Sequence, residues 1–216
     1  MIPVQEAPEP PDFDKKVRQR GLSAIDELVG RPARVPHPGP VRDKIADAES
    51  EIPAGKFPPF WRDAMDDMRT AYEARCAYLA LHIDPDSQTI DHFVPKAQAW
   101  DQVYEWNNYR FCSRTVNTLK GTSTNTIDPF EVQYGWFTLD LFSYTVIRGP
   151  TAPAEQLEKI DATLPLLNHP ESCEQRQQFA EDYMDGHIDL HYLQRQAPFV
   201  ALAFLPQTNS PTPQND

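Results

Sequence analysis

The chain has few cysteines, no long apolar run and too little positive charge to balance its acids. Cys76, Cys112 and Cys173 are scattered and odd in number. That is too few for a disulfide framework, so reduced thiols and a cytoplasmic setting are expected. No stretch approaches the roughly 18 consecutive apolar residues of a membrane span. The opening Met1-Ile2-Pro3-Val4-Gln5-Glu6 lacks the basic and apolar regions of a signal peptide, so no membrane partner is expected. No internal repeat is present. Lys and Arg number 20 against 32 Asp and Glu, a net charge of −12. Proteins that bind nucleic acid unaided usually present a basic face, because neutralised phosphates release counterions. Tight nonspecific binding by the isolated chain is therefore not expected. The deficit is uneven: between Gln88 and Ile127, four cations (Lys96, Arg110, Arg114, Lys120) face three acids (Asp91, Asp101, Glu105), which is +1 and leaves −13 for the remainder.

Proline, by contrast, is plentiful: 22 residues, about twice average usage. Many cluster near the N-terminus, where proline removes backbone donors and biases its predecessor away from helix. Residues 1–58 read as an extended Pro-rich arm, either a disordered tail or a strap anchored by Phe13, Val17 and Leu22. A short helix is expected around Leu22 to Val29 with Ser23 as its cap. A helix follows over Pro59 to Ala80, where Trp61, Met65, Met68, Tyr72, Cys76 and Leu79 recur at intervals of three and four and mark a core face. Asp84-Pro85-Asp86-Ser87 makes a turn into a strand over Gln88 to Val94, which Pro95 ends. A loop over Lys96 to Glu105 leads to a second run at Trp106 to Phe111, then to a helix from about Ser113 that Gly121 closes. Strands are expected at Trp136 to Phe142 and Tyr144 to Arg148. Helices are expected at Ala154 to Leu167, at Ser172 to Asp185, and at Asp189 to Phe204 with a break at Pro198. The polar tail 206–216 reads as disordered.

Chemistry concentrates between Asp91 and Gly121. Ile90-Asp91-His92-Phe93-Val94-Pro95-Lys96 is followed by Tyr104-Glu105-Trp106-Asn107-Asn108-Tyr109-Arg110, then by Asn117-Thr118-Leu119-Lys120-Gly121. Asn117 and Lys120, three apart, share one side of the helix. An Asp and an Asn offer oxygen ligands to a hard divalent cation. A histidine kept off the metal can then deprotonate an attacking water, and its ordinary pKa near 6.5 suits that task. Metal-assisted phosphodiester hydrolysis is one of the few chemistries that needs this set. An Asp-His dipeptide alone carries little weight, since it commonly just caps a strand. Its combination with Pro95-Lys96, Asn108 and the Asn-x-x-Lys-Gly ending carries the reading.

These residues resemble the HNH endonucleases, whose shared unit is the ββα-metal finger. The resemblance is closest to a bacterial branch lacking zinc-binding Cys pairs and covers about residues 58–145. Arg75-Cys76-Ala77-Tyr78-Leu79-Ala80, Asp128-Pro129-Phe130 and Gly135-Trp136-Phe137 also take part. It implies an α+β fold: a ββα-metal (HNH) nuclease core at 59–148, flanked by the arm and by a helical region at 149–205. It implies His92 as general base, Asp91 and Asn117 as metal ligands, and Asn108 as the residue holding the loop that orients the histidine. Lys120 would stabilise transition-state charge, and Lys96, Arg110 and Arg114 would hold substrate phosphates. The open oxygen ligand set suits Mg²⁺ or Mn²⁺. Two departures matter. Asn117 stands where a histidine is common, which favours hard ions. The paired Cys-x-x-Cys knuckles are missing, so no structural zinc is expected. Such chains are frequently effectors of bacterial defence systems. The acidity points to a partner, such as an ATPase or DNA-binding subunit, that supplies a basic surface for DNA.

Several residues invite plainer readings. His187 and His191 lie at helical spacing without the acidic pattern of a zinc protease. Trp100 and Trp106 suit packing better than base stacking, and Cys112 reads as a core thiol. The rival to an enzyme is a noncatalytic nuclease-fold scaffold. An RNA-cleaving nuclease differs only in substrate.

Overall fold

Gln88–His92 (β1) and Tyr109–Ser113 (β2) pair antiparallel in the computed structural model, which describes residues 1–205. Asp91 stands opposite Arg110, and His92 opposite Tyr109. Tyr109, Phe111 and Cys112 of β2 are fully buried, so this strand is core on both faces. The Ser113 hydroxyl accepts the Val116 N–H at 3.3 Å and caps α3 (Arg114–Lys120). Gly121 ends that helix at φ +55°, a conformation that disfavours a Cβ. Helix α3 packs back on β1 and β2, so strand, strand and helix form one small unit.

Both strands are shorter than the sequence suggests. β1 stops at His92 rather than Val94 because the N–H and carbonyl of Val94 bond to the Asn108 carboxamide instead of a neighbouring strand. Trp106–Asn108 form a single 3₁₀ turn, and the Trp106 ring is spent on docking: its Nε1–H donates to the Ala7 carbonyl at 2.7 Å. The expected helix over Pro59 to Ala80 is a 3₁₀ turn at Phe60–Ala64 and a short α2 (Met65–Ala71). Beyond it Glu73 and Ala74 take φ of +52° and +56°, and the chain leaves the helix. Residues 76–81 are buried all round, whereas a surface helix hides one face only. Their backbone groups are satisfied individually: Cys76 N–H to the Leu81 carbonyl, Ala77 N–H to Phe111, and Ile83 N–H to Ala74.

Residues 1–58 are a strap rather than a tail. A helical segment begins at Asp14 and continues as α1 (Gln19–Leu28), earlier than expected. Ser23 is therefore no cap: it sits inside α1, buried, and its hydroxyl accepts the Val35 N–H at 2.9 Å. Phe13 packs edge-on against Trp106 and Tyr109, with ring centroids 5.5 and 5.8 Å apart. Gly21 presses on Tyr104, whose ring carbons lie 2.2 Å from where a Cβ would stand. Buried apolar residues from Met1 to Ala201 form one cluster, so the arm, hairpin and C-terminal region share a core.

The remaining elements cover the far side of that core. Phe137–Asp140 (β3) and Thr145–Arg148 (β4) make a second antiparallel pair. Leu157–Leu167 (α4), Pro170–Met184 (α5), Leu190–Gln196 (α6) and Pro198–Phe204 (α7) follow. Pro198 separates the last two helices, as its missing N–H dictates. The fold is thus α+β with two two-stranded sheets among the described residues. No helix among these residues is long and apolar enough to cross a membrane. The tail expected at 206–216 lies outside the described residues.

Candidate active site

A cleft of about 700 Å³ is bordered by β1, α3, the loop after β1 and the segment carrying Trp61 and Arg62. Asp91 and His92 from β1, Asn117 and Arg114 from α3, and Lys96 from the loop all line it. Strand alternation turns Asp91 toward α3 and His92 toward the loop. Both still border the cleft because β1 ends there.

His92 is held by its surroundings on every side but one. Its Nε2 lies 2.9 Å from the Val103 carbonyl, and since a carbonyl only accepts, Nε2 carries the hydrogen. Nδ1 is thereby the lone-pair nitrogen, and it makes no hydrogen bond among the described residues. Trp61 and Tyr109 meet the imidazole edge to face at 4.8 and 5.2 Å. Burial, helped by the positive charge of Lys96, lowers the His92 pKa to about 3. The imidazole is neutral throughout the physiological range, although its intrinsic basicity is far below the ordinary value of 6.5.

The loop that presents Val103 is tied by Asn108. Its Oδ1 accepts the Val94 N–H at 2.8 Å, and its Nδ2 donates to the carbonyls of Val94 and Gln102 at 3.1 and 3.0 Å. The two bonds to Val94 join the ends of the loop, and the third ties its middle, next to Val103. Asn107, in contrast, is exposed.

Asp91 is 2% exposed and accepts two hydrogen bonds, from the Tyr78 hydroxyl at 2.6 Å on Oδ2 and from Lys120 Nζ at 3.1 Å on Oδ1. Burial and the Asp91 charge hold the Tyr78 phenol well above its usual range, so it remains a donor. Each carboxylate oxygen keeps lone-pair capacity beyond these contacts. Asn117 donates from Nδ2 to Thr89 Oγ1 and to the Ile90 carbonyl, both at 3.3 Å. Its Oδ1 has no protein donor among the described residues. A carboxyl group and a spare amide oxygen beside one cleft are a hard donor set, which fits Mg²⁺ or Mn²⁺ and suits softer ions poorly. No group of three or more His, Cys, Asp or Glu side chains converges among the described residues, at this cleft or elsewhere, so any ion here would rest on one carboxylate, one carboxamide and water.

Two expected substrate contacts have other uses. Lys120 is buried, and its ammonium is shared among Asp91, the His92 carbonyl at 3.2 Å and the Phe93 carbonyl at 3.1 Å. Three donors on three acceptors leave none for a phosphate, so Lys120 pins the end of β1. Arg110 is 4% exposed and forms a two-pronged pair with Asp128, with Nε 2.7 Å from Oδ1. It also donates to the carbonyls of Asn107 and Tyr109, and its guanidinium lies 3.7 Å from the Phe130 ring centroid. Arg110 is a clasp between β2 and the Asp128–Phe130 segment, turned away from solvent.

Lys96 and Arg114 do line the cleft, and Arg62 joins them. Tyr78 and Arg62 both escaped the sequence reading. Tyr78 stood only within the Arg75–Ala80 segment of the family resemblance, with no role of its own, and nothing marks Arg62 until the segment bearing it folds against β1. His187, in the bend between α5 and α6, and His191, in α6, are exposed, Trp106 is buried against the arm, and Cys112 is a core thiol. Comparison with protein-family models, curated proteins and solved structures gives no match to this chain.

Proposed function

We propose that this chain is a metal-dependent nuclease of the HNH type that hydrolyses phosphodiester bonds, with DNA as its substrate. The observation that carries the reading is the convergence on one cleft of Asp91, Asn117 and an oriented, neutral His92. The β1–β2–α3 unit is the element we assign to the ββα-metal core. Asp91 and Asn117 would hold a Mg²⁺ or Mn²⁺ ion, which when bound supplies Lewis-acid stabilisation of phosphate oxygen charge. His92 takes a proton from the attacking water at Nδ1, while its Nε2–H stays on Val103 and fixes the ring. Entry of a phosphate anion next to the imidazole favours its protonated form and restores basicity that burial removes. Asn108 acts through the loop, and Tyr78 and Lys120 act through Asp91, as positioning residues. The acidic remainder of the chain supports a partner subunit, such as an ATPase or DNA-binding protein, that brings the substrate.

A noncatalytic scaffold remains the second reading, and one observation favours it: Lys120 already neutralises Asp91 directly. Incubating the chain with plasmid, single-stranded DNA and RNA, in Mg²⁺ or in EDTA, separates the two. Nicking or cutting in Mg²⁺, lost in EDTA and reduced at least about 100-fold in His92→Ala, is the expected outcome for a general base. Cleavage of RNA alone would change the substrate. Unaltered cleavage by His92→Ala would remove the imidazole from the mechanism, and inactivity of the wild type on all three substrates would favour the scaffold.

A further inference from the structure

We propose that Arg62, together with Lys96, forms a subsite for a backbone phosphate next to the one that is cut. This rests on the nuclease reading and extends it to the chain segment that precedes the hairpin. Cations are scarce here, 20 against 32 acids, and many are neutralised: Arg18, Arg20, Arg31, Arg34 and Arg42 each pair with carboxylates. Arg62, Lys96 and Arg114 make no ion pair among the described residues, yet all three border the same cleft. The only acid lining that cleft is Asp91, already bonded to Lys120. Three cations against one acid leave it at +2 within a chain of −12.

Crowding like charges is unfavourable unless an anion arrives to share them. Lys96 shows the cost: burial first, and then the charge of Arg62, hold its ammonium below the usual lysine range. Its stem does not lead outward to a carboxylate. The ammonium instead rests 4.1 Å from the Trp61 ring centroid, a cation–π contact that fixes it without using up its hydrogen-bond donors. Trp61 and Arg62 are neighbours in one 3₁₀ turn, so the residue that holds Lys96 also places the guanidinium beside it. A guanidinium fork and an ammonium suit the oxygens of a phosphodiester.

Counterion release provides the test. Binding of a fluorescein-labelled oligonucleotide, single-stranded or duplex, is followed by anisotropy in EDTA over a salt series. Each phosphate contact contributes about 0.7 (single strand) to 0.9 (duplex) to the slope of log K against log salt. Arg62→Ala should lower the slope by that amount, and Arg62→Ala/Lys96→Ala by about twice as much. Lys159→Ala, which removes an exposed cation of α4 outside the cleft, should leave it unchanged. An unaltered slope in Arg62→Ala would overturn the subsite while leaving the nuclease reading intact. An equal drop in Lys159→Ala would overturn it too, as diffuse charge attraction. The series starts at low salt and at protein concentrations high enough to register weak binding; if the wild type binds neither oligonucleotide even there, the subsite and the nucleic-acid substrate fall together.

Discussion

His92 owes its neutral state to burial, and that has a consequence for stability that needs no assumption about activity. Its folded pKa of about 3 lies below the ordinary 6.5. Between those values the unfolded chain binds a proton that the native chain does not, so stability rises with pH across the window. The contribution is fully present above about pH 6.5 and is lost progressively as pH falls toward about 3. At pH 5 the loss relative to pH 7.5 is about 2 kcal/mol. Urea denaturation of the wild type and of His92→Gln at both pH values reads it as a difference between the two proteins. Equal pH dependence in both would mean that the imidazole is solvated. Arg110 and Lys120 carry charge that looks free in a sequence, but each has an acid brought to it by folding, Asp128 and Asp91.

The loop between β1 and β2 is the element on which the orientation of His92 depends, and Asn108 is what closes it. Asn108→Ala leaves the N–H and carbonyl of Val94 and the carbonyl of Gln102 without their partners. A destabilisation of about 1–3 kcal/mol is expected from such partly buried groups. Release of Val103 should lower cleavage as well, even where the protein is still folded. Thermal melts and cleavage assays on the same sample test both; full activity with unchanged stability would contradict the role of the loop. At this scale the hairpin and α3 were legible in the sequence, because Pro95, Ser113 and Gly121 punctuate them with local chemistry. The long helix over 59–80 was not. Its three-and-four periodicity is real up to Ala71, but beyond it the apolar residues are buried on all sides in a loop whose φ values no periodicity encodes. For the same reason Tyr78 could not be recognised as the Asp91 donor: the contact joins that loop to β1 across the core. Asp91, His92, Asn108 and Asn117 stood out as candidates because motif spacing survives without tertiary knowledge, whereas Arg62 reaches the cleft only through packing.

For the molecule as a whole, the arm is part of the core and not an appendage. Phe13 and Val17 are fully buried, Met1 is 2% exposed, and Trp106 and Tyr104 both hydrogen-bond to arm carbonyls, at Ala7 and Pro58. Removing residues 1–58 exposes that apolar surface and strips the packing from the loop beside His92. A 59–205 fragment is therefore expected to show no cooperative unfolding transition by circular dichroism, whereas the full chain does. A fragment that melts cooperatively would show that the two regions fold independently. A net charge of −12 around a positive cleft would admit the proposed nucleic-acid strand there while repelling it elsewhere.

The β1–α3 face is proposed to hold a hard cation through one carboxylate and one carboxamide. Titrating Mn²⁺ into the wild type and into Asn117→Ala, read by the loss of the free-ion electron paramagnetic resonance signal, tests it directly. Asn117 is only partly buried, so its truncation leaves the Asp91–Lys120 pair in place. One site in the wild type, weakened about tenfold or more by loss of a ligand oxygen, is the expected result. Equal affinity in both proteins, or no binding in the wild type, would contradict it.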